Sequence, residues 1–196
     1  MGPFVVLEGV SAVGKSTLAQ LLADRLGAMR LHTLPAPHNG WVPTVHVEFQ
    51  PLPTLAFYLS GLLHASDAIR AGLALHPVIA DRYTSSVIAC QAAVSGVSVG
   101  AVAGLLEPFR PYLATPDATF YLRSSEATLR ERMGIKQDTK EDDTALFAVP
   151  GRLTTLWENF EAVAAADPTA VFLDTDGRTP DGLANLITTH LEERRA

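Results

Sequence analysis

The chain has 196 residues, 47% of them hydrophobic and 18% charged. That is the size of one domain with a core of its own, and too apolar a composition for a disordered chain. With 15 Lys and Arg against 21 Asp and Glu the formal charge is −6. Broad nucleic-acid binding, which needs a basic surface, is thereby excluded, whereas a local pocket for a small anion is not.

The single cysteine, Cys90, makes no intrachain disulfide and no multi-thiolate zinc site, and the 6 histidines show no His-x-x-x-His pair. The apolar run Phe4 to Leu7 is closed by Glu8 and is too short for a secretory signal. No stretch reaches the roughly 18 uncharged apolar residues of a membrane span. The expectation is a cytoplasmic chain with neither a membrane nor a nucleic-acid polymer as partner.

In chain order, Phe4 to Leu7 reads as a buried strand and Lys15 to Leu26 as a helix, with Leu18, Leu21, Leu22 and Leu26 on one face and Gly27 as its stop. Further strands are expected at 28–33, 77–80, 118–122 and 170–173. Helical patterns fill 53–74, 83–95, 98–109, 125–133, 143–166 and 180–194. Strands separated by helices imply an α/β fold, with parallel pairing through crossovers and helices on both faces of the sheet. Segment 34–54, with Pro35, Pro37, Pro43, Pro51 and Pro53, reads as a long irregular loop, and 134–143 as a polar, solvated stretch. Between 83 and 109, Val87, Ala93, Val97, Val102 and Leu105 exceed what one helix face must bury, which offers a face for a homodimer.

Gly9-Val10-Ser11-Ala12-Val13-Gly14-Lys15-Ser16, followed by Thr17, matches G-x-x-x-x-G-K-[ST]. Glycines let such a loop point its backbone N–H groups inward at phosphate oxygens, and the following helix aims its positive end at the same place. Lys15 would reach the β- and γ-phosphates of ATP, and the Ser16 hydroxyl would ligate Mg²⁺. The plainer reading is a glycine-rich turn with an incidental lysine; a strand before the loop and an amphipathic helix after it weigh against that.

Asp81-Arg82-Tyr83 ends the third strand, and ligands of open α/β sheets sit beyond the carboxyl ends of strands. A carboxylate there can hold Mg²⁺, and an arginine can clamp a phosphate. The alternative is an aspartate capping the next helix beside a surface ion pair. Arg130 and Arg132, followed by Lys136 and Lys140, are candidates for a closing lid over 130–145, against the alternative of a solvated face paired with Glu126 and Glu131.

Phe4 to Gly9 running into the loop, Val78 to Tyr83, and Gln91, ten residues after Asp81, together resemble the thymidylate kinase-like family of P-loop kinases. The resemblance implies a three-layer P-loop fold in a single domain, with a five-stranded parallel sheet in the order 2-3-1-4-5. It also implies ATP and Mg²⁺ on the donor side and a nucleotide or nucleoside as acceptor. Lys15, Asp81, Arg82 and Arg132 are then the catalytic set. Arg82 binds the acceptor phosphate, Phe57 stacks on the acceptor base, and Gln91 completes the acceptor site.

Four positions depart from the family pattern. Ser11 stands in place of a sugar-binding aspartate, and Ser60-Gly61 in place of an Asp-Arg pair whose arginine reads the thymine carbonyl. Thr33-Leu34-Pro35 replaces Arg-Glu-Pro, and Cys90 a tyrosine beside the sugar. These departures predict an altered acceptor. A nucleoside acceptor would call for a base, for which Glu48 is the nearest loop carboxylate. Rival readings are a P-loop kinase of a non-nucleotide small molecule and a slow ATPase switch; the guanine-reading Asn-Lys-x-Asp is missing.

Overall fold

The computed structural model describes residues 2–135 and 141–194. Its sheet has the strand order β2-β3-β1-β4-β5 with every neighbouring pair parallel, as the resemblance implied. β1 (Phe4–Glu8) is central and wholly buried. It pairs with β3 (Val78–Asp81), Phe4 opposite Val78, and with β4 (Ala118–Arg123), Val5 opposite Ala118. β2 (Met29–His32) and β5 (Ala170–Asp174) are the edges, and each is partly exposed. This burial pattern explains the sequences: central strands of a parallel sheet are covered on both faces and run apolar, while edge strands tolerate Arg30 and Asp174.

The covering layers come from the crossovers. α1 (Lys15–Leu26) packs with α9 (Pro180–Glu193). α4 (Thr84–Ser95) packs with α3 (Pro51–Leu73), α5 (Val99–Leu106) and α8 (Arg152–Ala165). Leu18, Leu22, Leu62, Ile69, Ile79 and Ile187 are all but inaccessible to water. Each such side chain contributes about 1.5–3 kcal/mol on burial. Among the described residues no helix is long and apolar enough to cross a membrane.

Several expectations change. Segment 34–54 is not an irregular loop: α2 (His38–Glu48) fills most of it, and α3 already begins at Pro51. The prolines sit mostly where a helix tolerates them, Pro37 at the N-cap of α2 and Pro51 and Pro53 in the first turn of α3, where no intrahelical N–H partner is lost. Pro43 lies inside α2. The helix expected over 143–166 is two, α7 (Glu141–Ala148) and α8, parted at Pro150 and at Gly151 with φ +77°. The helix expected over 98–109 is α5 followed by a 3₁₀ turn, Glu107–Tyr112. Of the apolar residues between 83 and 109, Val87 and Val102 enter the core, whereas Val97 and Leu105 stay exposed. α6 (Glu126–Ile135) carries Arg130 and Arg132 up to the expected lid, of which Lys136 and Lys140 lie outside the described residues.

Because all strands run the same way, their carboxyl ends form one edge. The chain is stitched across it: the Arg82 N–H donates to the Leu7 carbonyl at 3.0 Å, Thr33 N–H to the Asp81 carbonyl at 3.1 Å, and Thr175 N–H to the Arg123 carbonyl at 2.9 Å.

Candidate active site

The loop from Gly9 to Gly14 leaves β1 on this edge and enters α1. At Gly9, φ is +134° and an added Cβ would lie 2.7 Å from the Leu122 carbonyl oxygen, so no larger residue fits. Gly14 caps α1 at φ +105°, again a conformation that L side chains avoid. Ala12 completes the wrap at φ +63°. The N–H groups of Lys15, Ser16 and Thr17 head α1 and have no acceptor within the helix, which leaves them available to an anion.

The Lys15 ammonium is buried and donates to the carbonyls of Gly9 (2.9 Å) and Val10 (2.6 Å). Burial first, and then the charge of Arg82, pull its pKa down to about 7, against the opposing pull of Asp81 and Glu8. Arg82 donates through Nη1 to the same Gly9 carbonyl at 3.0 Å and to Ser86 Oγ at 3.0 Å. Its backbone stands at φ +73°, a left-handed conformation that costs a non-glycine residue about 1–2 kcal/mol. The bonds on either side of it repay that cost. Ser16 Oγ donates to Asp81 Oδ2 at 2.6 Å, while Asp81 Oδ1 is buried with no hydrogen-bond partner. Lys15, Ser16, Asp81 and Arg82, chosen from the sequence alone, therefore converge on one point of the edge.

Arg132 is placed differently from the expectation of a free lid arginine. Its Nη1 donates to the Val13 carbonyl at 3.0 Å and to Thr175 Oγ1 at 2.9 Å, and its Nη2 to the Thr175 carbonyl at 3.1 Å. It bridges the phosphate loop to the loop after β5. Arg130 instead pairs with Glu126 and lies over the Phe147 ring, as the solvated-face reading has it.

The acceptor candidates flank this group without joining its hydrogen bonds. Phe57 is on α3, 5.6 Å from the His38 ring, and His38 lies 5.9 Å from Trp41 and 5.4 Å from His64, centroid to centroid. His38 also hydrogen-bonds Ser60 Oγ at 3.2 Å and His64 at 3.3 Å, Nδ1 to Nδ1. Burial and the neighbouring His64 push the His38 pKa below its ordinary value. Gly61 shares the α3 face with Phe57; a Cβ built there would lie 2.4 Å from Leu34 Cδ2 and 3.4 Å from His38 Cδ2. Leu34, two residues after the end of β2, is buried and fills the space next to Gly61. Gln91 is buried in α4, and its Oε1 has no hydrogen-bond partner. Cys90 is half-buried against the core, and Glu48, at the end of α2, is exposed.

Sequence reasoning passed over two residues that the structure brings into the site, Glu8, whose carboxylate meets the start of α4, and Ser86, which links it to Arg82; the structure also brings in Thr175, from the turn after β5. Glu8 carries a signal in hindsight, since a charged residue inside a fully buried strand needs a partner.

The comparisons with known proteins point the same way as this geometry. The solved structure of thymidylate kinase from Candida albicans superposes with a TM-score of 0.78 over 99% of this chain and 92% of that one, at 18% identity, so the fold is shared. The probable thymidylate kinase of Natronomonas pharaonis is 30% identical over 173 residues, 84% of each chain. The thymidylate kinase of Chromohalobacter salexigens is 28% identical across 100% of this chain and 97% of its own length. The family model described as thymidylate kinase matches residues 44–176, which take in the α3 flank, Asp81 and Arg82, Gln91 and Arg132. The phosphate loop precedes that span and carries its own signature in sequence and backbone. On both counts the chain belongs to the thymidylate kinase family, as a phosphotransferase that passes phosphate from ATP to a nucleoside monophosphate.

Proposed function

We propose that this kinase acts on pyrimidine nucleoside monophosphates, with thymidine monophosphate as one acceptor among several and Mg²⁺ as companion of ATP, and that it works in the cytoplasm. The observation that carries the reading is the convergence of Lys15, Arg82, Ser16 and Asp81 at the head of α1, with both cations resting on the Gly9 carbonyl. Bound phosphate would take the place of that carbonyl.

Gly9 to Thr17 cradle the triphosphate, and Lys15 exchanges loop carbonyls for phosphate oxygens. The unpartnered, buried Asp81 Oδ1 beside the Ser16 hydroxyl suits a hard divalent cation, so Ser16 and Asp81 would hold Mg²⁺, which when bound neutralises phosphate charge. Arg82 turns from Gly9 to the acceptor phosphate and brings it in line. An acceptor phosphate oxygen then forms a bond to the γ-phosphorus, the bond to the β,γ-bridging oxygen breaks, and ADP leaves with the electron pair. A monophosphate oxygen is already ionised and needs no base, in keeping with the exposed place of Glu48. Arg132 puts its charge beside the cradle, where the transferred group spreads negative charge.

On the acceptor side Phe57 offers a ring to the base, and Gln91 an unmet acceptor atom. Position 61 holds glycine where the family's thymine-reading arginine stands, and Leu34 fills the adjoining space. Without that guanidinium the discrimination among bases falls. The thymidylate kinase of Candida albicans, which shares the fold, is described as having broad substrate specificity. The test is kcat/KM measured with thymidine, deoxyuridine, uridine and deoxycytidine monophosphates. At least two acceptors are expected within about tenfold of each other. Turnover of thymidine monophosphate alone, with all others rejected, overturns the broad reading; calorimetry that finds no complex with ATP and Mg²⁺ overturns the whole.

A further inference from the structure

Glu8 is the last residue of β1, yet its carboxylate is spent on the start of α4, 75 residues away in sequence. Oε1 accepts the backbone N–H groups of Tyr83 (2.8 Å) and Ser86 (3.1 Å), and Oε2 accepts the Ser86 hydroxyl. In most helices the first-turn N–H groups are met by the N-cap side chain. Tyr83, the N-cap of α4, supplies no such bond, so one carboxylate from the central strand serves both the N-cap and the N3 amide. The Ser86 hydroxyl gives its proton to Glu8 and therefore turns a lone pair to Arg82 Nη1, 3.0 Å away. Arg82 lies one residue before the N-cap, in its left-handed conformation, with its backbone tied to Leu7 and its guanidinium on Gly9. Glu8, Ser86 and Arg82 thus form a chain of donors and acceptors that ends at the Arg82 guanidinium.

We propose that Glu8 is the positioning residue for Arg82: its carboxylate, acting through the Ser86 hydroxyl and the head of α4, sets the direction of the guanidinium that receives the acceptor phosphate. This rests on the reading of Arg82 given above. Glu8 itself is wholly buried, and its carboxylate is taken up by Tyr83 and Ser86. Its burial raises its pKa, a cost opposed by the Ser86 bond, the Arg82 charge and the two backbone donors. A carboxylate kept at that cost inside a central strand has a task that an apolar residue of the same size would not perform.

Glu8→Gln is the decisive variant. The amide can still accept both backbone N–H groups, but it presents N–H to Ser86 Oγ in place of an acceptor, so the hydroxyl proton loses the partner that fixes it and the lone pair facing Arg82 is no longer held in that direction. Ser86→Ala removes the same link from its other end, and Ser86→Thr restores the hydroxyl. Steady-state kinetics with ATP and the acceptor varied separately, alongside thermal melting, read the outcome. A rise in acceptor KM and a fall of about 10²-fold in acceptor kcat/KM are expected for Glu8→Gln and for Ser86→Ala, with the KM for ATP within twofold of the parent and Ser86→Thr close to it. The double variant is expected to be no worse than either single one, because both break one chain. Folded Glu8→Gln protein with parental acceptor kinetics overturns the proposal, as does an equal loss toward both substrates that tracks a lowered melting temperature. Arg82→Ala separates the two claims. If it leaves acceptor kinetics untouched, the role of Arg82 itself fails; if it impairs them while Glu8→Gln and Ser86→Ala do not, only the positioning role fails.

Discussion

Around the loop after β1, each cation is already engaged by a backbone oxygen: Lys15 on Gly9 and Val10, Arg82 on Gly9, Arg132 on Val13 and Thr175. Further along the same edge, beyond β2, the groups that face one another are Leu34, His38, Trp41, Phe57 and His64, and their contacts are ring faces, one imidazole pair and one serine. The first region is specified by the charge and shape of a triphosphate, which leave few residue types able to serve. The second is specified by how side chains fill space between α2 and α3, which many combinations can do. The family match spans residues 44–176 and so starts beyond the phosphate loop, which is a separate mark of the kinase, and the proposed choice of acceptor falls to the flank.

The largest effect expected is at the donor end. Lys15→Ala should lower kcat by about 10²–10³-fold, because a preorganised charge on the transferring group is lost. The melting temperature should hold or rise slightly, since the ammonium that is removed is desolvated in the free protein. If kcat survives, the contrast between the two regions is wrong at its root. Asp81→Asn is the next step down. The Mg²⁺ concentration for half-maximal rate should rise about 10–100-fold, measured by metal titration at saturating ATP, because the charge opposite the Ser16 hydroxyl is lost. An unchanged titration would remove Asp81 from the metal site.

The acceptor flank can be pushed the other way. Gly61→Arg alone should destabilise by about 1–3 kcal/mol, because its Cβ meets Leu34 at 2.4 Å. Together with Leu34→Ala, which empties that space, it should sharpen discrimination for thymidine monophosphate over its competitors by about tenfold. Competition assays at mixed acceptors read that ratio directly. Parental selectivity in a folded double variant would mean that the flank does not choose the base.

How much of this was legible in the sequence follows the same division. The five strands and the loop were visible because a phosphate cradle needs glycines at fixed spacing, and because central parallel strands need unbroken apolar runs. The strand order came from family resemblance, since hydrophobic periodicity is blind to which strands are neighbours. α2 was missed because only Val45 of its 11 residues is buried, so it has no apolar stripe to betray it, and its prolines argued for a loop. Arg132 was a candidate in the sequence, but its partners were not visible there: Thr175 lies more than 40 positions further along, and the bonds between them exist only once α6 and β5 are in place. Glu8 and Ser86 were hidden for the same reason.

The smallest effect is also the most direct measure of the difference between the two regions, since it counts protons. In the free protein the Lys15 pKa is about 7, set by burial and by Arg82. A bound polyphosphate opposes both causes by placing negative charge against the ammonium, so the pKa of the complex returns toward the ordinary value of about 10.4. The sign follows. At pH 8 most free protein carries neutral Lys15, and ATP binding should take up close to one proton. At pH 6 Lys15 is already charged, and uptake at this group should fall toward zero. Calorimetry of ATP binding in Tris and in HEPES, whose ionisation heats differ, gives the proton count from the difference in observed enthalpy. Lys15→Ala should abolish the uptake at pH 8. The His38 imidazole on the acceptor flank is displaced the same way, downward, by burial and by His64. A proton count near zero at pH 8 for the parent protein would mean that Lys15 keeps its charge on the Gly9 and Val10 carbonyls despite its burial.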